Sequence, residues 1–247
     1  MNKYRLLLLA ALICFGAQAQ NLKAVNYHDG QQKLSGLVTS NADQQLPGVL
    51  ILPAWKGIDQ EAKTAALELE KEGYIAFIAD IYGEGNIPSD NKEASQIASH
   101  YKNDYKSYQH RIALALAELK KTNALSDQIA VIGYCFGGTG TLEVARANMD
   151  VCGIVCIHGG YAKAPDRTNS TIHAKVLIEH AANDKSISKA DFDQLVQELN
   201  DGNADWQIIT YANSEHTFTS LESSDYNPVM AKRAWNHTLM FLNEVLK

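Results

Sequence analysis

Ile129-Ala130-Val131-Ile132 runs without a break into Gly133-Tyr134-Cys135-Phe136-Gly137-Gly138, and a helical stretch from Gly138 to Ala147 follows at once. An unbroken apolar run bounded by turn residues reads as a strand covered on both faces. Strand, sharp turn and helix form the setting of a G-x-[nucleophile]-x-G elbow, where side chains two positions either side of the nucleophile would strike neighbouring backbone. Gly133 and Gly137 meet that demand, with cysteine where serine is commoner. The turn lifts the Cys135 sulfur above the sheet at a helix N-terminus, and the dipole there favours the thiolate that attacks carbonyl carbon. A plain glycine turn around a buried cysteine would not require a strand before it and a helix after.

Outward from this turn, similar apolar runs stand at Val49 to Leu52, Ile75 to Ala79, Val151 to Ile157, Val176 to Ile178 and Trp206 to Tyr211. Between them lie helical segments at Asp59 to Glu72, Asn91 to Lys121 and Ser188 to Asn200, with a last one from Pro228 to Leu246. Apolar residues recur there at helical spacing, as in Ala66 with Leu69 and Leu195 with Leu199. Strands alternating with helices imply right-handed crossovers and a mostly parallel sheet covered on both faces. Two short alternating stretches, Ala24 to Tyr27 and Lys33 to Thr39, flank Asp29-Gly30 and predict an antiparallel edge at the N-terminal end. The expected architecture is one three-layer α/β domain over residues 20–247.

Residues 1–19 read as a secretory signal peptide: Lys3 and Arg5, an apolar run from Leu6 to Phe15, then Ala17-Gln18-Ala19 as a small-residue cleavage site. The apolar run is about half the roughly 20 residues that cross a bilayer, so cleavage and a secreted or periplasmic mature chain are expected. Removing 19 of 247 residues leaves 228, and losing Lys3 and Arg5 takes the formal net charge from −6 to −8. With no basic run in the remainder, nucleic acid is excluded as a partner class, and no membrane association is expected after cleavage. Cys14 leaves with the signal, so Cys135, Cys152 and Cys156 remain. The last two, four positions apart on one strand, would be about 13 Å apart, beyond the roughly 7 Å that a disulfide allows. A bridge from Cys135 to one of them would make it structural instead.

A cysteine nucleophile needs a base, and the base an orienting group. For an elbow of this kind the chain order is nucleophile, acid, histidine. His216 lies in Ala212-Asn213-Ser214-Glu215-His216-Thr217-Phe218, after the last strand and before the last helix. Asp184 ends Ile178-Glu179-His180-Ala181-Ala182-Asn183-Asp184 and is placed at a strand's carboxyl end, ahead of Glu179 and Asp205 as the acid. Backbone N–H groups of Phe136 and of Trp55, in the loop after Val49 to Leu52, are the candidate oxyanion donors. Tyr82, Glu84, His158 and Tyr161 are the candidate pocket residues. The histidines are scattered, with no H-E-x-x-H string, and no Lys-Ser/Thr follows the glycine run, so neither a metal nor another cofactor is expected.

These motifs, with Ala79-Asp80-Ile81-Tyr82 and His216-Thr217-Phe218, make the chain from about Leu46 to Leu246 resemble the dienelactone hydrolase family, α/β-hydrolases with a Cys-Asp-His triad. The resemblance implies a lidless cleft above the sheet and hydrolysis of small esters, lactones or thioesters through an acyl-cysteine. The family's best-known members also carry a glutamate before the oxyanion residue and two arginines that grip a substrate carboxylate. Ala54, Glu84 and Ser220 occupy those places here. A substrate without negative charge near the scissile bond is therefore expected, with Cys135 paired directly to His216. The alternative is a small-molecule-binding protein that keeps the fold and has lost turnover.

Overall fold

The computed structural model describes residues 21–247; the expected signal peptide, residues 1–19, lies outside them. The chain alternates β1 (Lys23–Asp29), β2 (Gln32–Val38), β3 (Leu46–Leu52), α1 (Gln60–Lys71), β4 (Ile75–Ile78), α2 (Asn91–Asn103) and α3 (Tyr105–Lys120). It continues with β5 (Ala124–Tyr134), α4 (Phe136–Arg146), β6 (Gly153–Ile157), β7 (Lys175–Ala181), α5 (Lys189–Asp201), β8 (Trp206–Tyr211) and α6 (Pro228–Leu246). All eight strands form one sheet in the order β1-β2-β4-β3-β5-β6-β7-β8. β1 pairs antiparallel with β2, and β2 with β4, while every pair from β4 to β8 is parallel.

The two-residue period of the strands sorts their side chains into two cores. Leu50, Leu52, Val131, Ile154, Cys156 and Ile178 join Ala98, Ile112, Leu142 and Leu195 from α2, α3, α4 and α5. Val49, Ile51, Ala130, Ile132, Val155 and Leu177 join Ala62, Ala66, Leu69 and Leu242 from α1 and α6. Consecutive apolar residues are thus both required, because each faces a different helical layer. The expected three-layer α/β fold with an antiparallel N-terminal edge is the observed one.

Several boundaries differ from the sequence expectation. The single helix expected over residues 91–121 is two helices, broken at Asp104, whose carboxylate accepts the Ser107 N–H (3.1 Å) and hydroxyl (2.7 Å) and caps α3. β5 starts at Ala124 rather than Ile129, because Ala124 pairs with Leu46 before an irregularity in the ladder. α4 starts at Phe136 rather than Gly138, immediately after Cys135. β6 starts at Gly153 rather than Val151, so Cys152 stands just ahead of the strand that holds Cys156. Cys135, Cys152 and Cys156 are all unbridged.

Candidate active site

Cys135 occupies the single residue between β5 and α4 and has φ 53° and ψ −109°, a left-handed conformation that costs a side-chain-bearing residue energy. Close packing holds it there. A Cβ on Gly133 would collide with the Gly137 carbonyl, and one on Gly137 with the backbone of Leu52 and Pro53. Tyr108 fixes the next residue, stacking on the Phe136 ring at 4.5 Å and donating its hydroxyl to the Phe136 carbonyl at 2.9 Å.

Three groups converge above this turn. His216, in the loop after β8, has Nε2 3.1 Å from the Cys135 sulfur and Nδ1 2.7 Å from Asp184 Oδ2. Asp184 follows β7, and its other oxygen, Oδ1, accepts the Ser186 N–H (2.9 Å) and hydroxyl (2.6 Å). Burial favours the neutral forms of both, but hydrogen bonds outweigh it. Those to Asp184 and the Cys135 sulfur raise His216 to about 10, and those from His216 and Ser186 lower Asp184 to about 2. The imidazole therefore holds its proton firmly, with Nε2 facing the Cys135 sulfur.

A second chain of bonds runs behind the turn. The Cys135 N–H, already donated to the Ile157 carbonyl at 3.1 Å, also lies 3.2 Å from His158 Nδ1. With Nδ1 accepting, the His158 proton is on Nε2, 2.8 Å from the Thr219 hydroxyl, which donates to Glu61 Oε1 at 2.6 Å. Complete burial, followed by the charge of His216, lowers His158 to about 3 and keeps it neutral. Its ring meets that of His216 edge-on at 5.4 Å.

The cavity in front of Cys135 has a volume of about 540 Å³. Tyr161 lines it as expected, with its hydroxyl 3.0 Å from His180 Nδ1. Tyr82, Glu84 and His158 do not. Tyr82 is buried behind the elbow with its hydroxyl on the Trp55 carbonyl at 2.8 Å, Glu84 is exposed beside Lys33, and His158 backs the turn. Ser220 faces away from this cavity, toward a different one. Sequence reading missed the opposite wall, which includes Tyr105, Lys163, Arg167 and Ser186. Arg167 stacks 3.6 Å over Tyr105 and grips Glu143 through both terminal nitrogens, while Lys163 pairs with Glu198 at 3.3 Å. The Asp-x-Ser spacing at Asp184 and Ser186 was a local signal for a side-chain turn; the wall left no such signal, since its residues come from separate segments. Trp55 is half-buried, in the loop whose Leu52 and Pro53 backbone packs on Gly137. Among the described residues no group of His, Cys, Asp and Glu is arranged to hold a metal ion.

The sequence pattern of the dienelactone hydrolase family matches residues 34–246. The chain is 25% identical over 224 residues to a "Probable 2-oxo-3-(5-oxofuran-2-ylidene)propanoate lactonase" of a Bradyrhizobium species, covering 87% of this chain and 90% of that one. Among solved structures, "m3DLH" superposes with a TM-score of 0.86 at 28% identity, covering 93% of this chain and all (100%) of the other. A dienelactone hydrolase-like promiscuous phosphotriesterase from metagenomic libraries gives a TM-score of 0.85 at 27% identity, with 93% of this chain and 100% of that one covered. Elbow, fold and matched length agree: the chain belongs to the dienelactone hydrolase family of carboxylic-ester hydrolases.

Proposed function

We propose that the protein hydrolyses small esters or lactones through an acyl-cysteine intermediate, with Cys135 as nucleophile, His216 as the proton-transferring base and acid, and Asp184 orienting His216. One observation carries this reading: His216 contacts the Cys135 sulfur at 3.1 Å with one nitrogen and Asp184 at 2.7 Å with the other. Sulfur attacks the carbonyl carbon, and the N–H groups of Phe136 and Trp55 receive the negative oxygen. Phe136 opens a helix, so its N–H has no carbonyl from an earlier turn and is free for this task. His216 passes its proton to the leaving alkoxide, then takes one from the water that cleaves the thioester.

The substrate class follows from the wall. Arg167 and Lys163 are engaged by Glu143 and Glu198, so the wall favours an uncharged acyl group over a carboxylate-bearing one. In this reading residues 1–19 direct the protein out of the cytoplasm, which N-terminal sequencing of the exported chain checks. The activity test is p-nitrophenyl acetate hydrolysis by wild type, Cys135→Ala and His216→Ala. Each substitution is expected to lower kcat/KM by at least about 10³-fold. Equal rates for all three would defeat the assignment and leave the binding-protein reading.

A further inference from the structure

Of the two cavities, the one between α1 and α6 has only carboxylates among its charged lining, whereas the one in front of Cys135 carries Tyr101, Tyr105, Tyr108 and Tyr161. Cys135, Thr139 and Glu143 line that tyrosine-bearing cavity as well, and a spacing of four puts them on one face of α4. The cavity therefore runs along α4. From Cys135 to Glu143 the helix rises about 12 Å.

The ends of this cavity differ. Lys102, Asn103 and Ser186 at its rim are exposed. The Glu143 end is closed to solvent: Glu143 is 4% exposed and the Arg167 side chain 14%. Arg167 joins this end to α3, holding both Glu143 oxygens and lying 3.6 Å over the ring of Tyr105, the first residue of α3. With its charge met by Glu143, the guanidinium adds a flat surface to those of the tyrosine rings. An aromatic pair gains roughly twofold to tenfold in affinity beyond its buried area. An alkyl chain of the same length must also give up rotamer freedom that a ring never had.

We propose that the acyl group of the preferred substrate ends in an uncharged aryl ring joined to the scissile carbonyl through two carbons, and that Tyr105 and Arg167 set this specificity. The inference rests on Cys135 as the reacting group. Carbon–carbon bonds of about 1.5 Å put such a ring roughly 4 to 7 Å beyond the carbonyl carbon, beside α4 between Thr139 and Glu143. A ring on a much longer spacer would run into the Arg167 and Glu143 pair, and a short acyl group would stop before Tyr105.

Acid release from methyl 3-phenylpropionate, from methyl heptanoate, which matches it in length, and from methyl 7-phenylheptanoate tests this. Wild type is expected to favour the phenylpropionate in kcat/KM by at least about fivefold over the heptanoate and at least about tenfold over the phenylheptanoate. Tyr105→Ala should shrink the first ratio to below about twofold, and Arg167→Ala, which removes the end wall, should shrink the second to below about threefold. Each ratio comes from one preparation, so a misfolded fraction does not alter it. A second readout needs no turnover. The ketone 4-phenyl-2-butanone, which carries the same acyl group, should protect Cys135 from iodoacetamide at a concentration at least about fivefold lower than 2-octanone, the ketone of the heptanoyl group. If wild type hydrolysed no ester faster than Cys135→Ala, the hydrolase reading would fall, and a preference for the phenyl ketone would still uphold the aryl specificity of the cavity. Equal rates on phenylpropionate and heptanoate, a first ratio unmoved by Tyr105→Ala, a second unmoved by Arg167→Ala, or equal protection by the two ketones would each overturn the proposal.

Discussion

The two cavities lie on opposite faces of one sheet, at the carboxyl ends of the same strands, and burial acts alike on the ionisable groups of both. The outcomes are opposite. In front of Cys135, partners at hydrogen-bond distance overcome burial, so His216 rises to about 10 and Asp184 falls to about 2. Between α1 and α6, burial prevails over the bonds from Thr219 and Thr238, so Glu61 rises to about 7 and Glu179 to about 8. The wall between them holds His158, lowered to about 3 and therefore neutral. Charge in this protein is thus decided by the partner a group finds. Depth has the same sign of effect on every carboxylate.

The strongest way to break this contrast is to remove a partner. Asp184→Asn keeps the shape but cannot stabilise the imidazolium, so kcat/KM on p-nitrophenyl acetate should fall roughly 10²- to 10⁴-fold. A loss of less than about threefold would mean that His216 does not depend on Asp184 for its protonation.

Stability against pH separates the two carboxylates, Asp184 and Glu179, by their signs. His216 is raised above its ordinary 6.5, so its contribution is fully present below about 6.5 and is lost as pH rises through about 10. Asp184 is lowered from 3.8, so its contribution is present above that value and is lost as pH falls toward 2. Glu179 is raised from 4.5 to about 8, so its contribution is greatest below 4.5 and disappears as pH climbs through about 8. Glu179→Gln should therefore flatten the melting temperature between pH 5 and pH 8, with the variant gaining most on wild type at the alkaline end. Parallel melting curves across that window would show that Glu179 has the same proton affinity folded and unfolded.

Thr219→Val sharpens the comparison at the shared wall. It leaves His158 Nε2 and Glu61 Oε1 without their common hydroxyl, at an expected cost of about 1–3 kcal/mol in urea unfolding. The smallest effect belongs to Ser186→Ala. It deletes one hydroxyl bond to Asp184 on a residue already exposed, and about 0.5–1.5 kcal/mol of stability with a few-fold change in rate is expected. A Ser186→Ala loss as large as that of Asp184→Asn would put Ser186 inside the proton path.

The candidate site was legible where chemistry forces local pattern. Gly133 and Gly137 announce a turn that no larger residue survives, and chain order picked Asp184 and His216, which the fold brings to hydrogen-bond distance. The pocket was less legible. Tyr82 and Glu84 sit close after a strand end in sequence, yet one turns behind the elbow and the other to solvent, because side-chain direction depends on the loop that carries it. His158, expected in the pocket, instead supports the Cys135 N–H, a role requiring Thr219 and Glu61, which stands 158 positions from Thr219.

The sequence by itself determined the α/β layering, the sheet's parallel run and the elbow, because strand period, helix period and glycine sterics act over a few residues. Only the tertiary structure decided which groups carry charge, since that depends on partners from distant segments: Arg167 on Glu143, Thr219 on Glu61, and Glu179 with one oxygen left over. Apolar patterning fixes where a side chain is buried, but the free energy of an ionised group is set by the few atoms within hydrogen-bond reach, and folding alone brings those together.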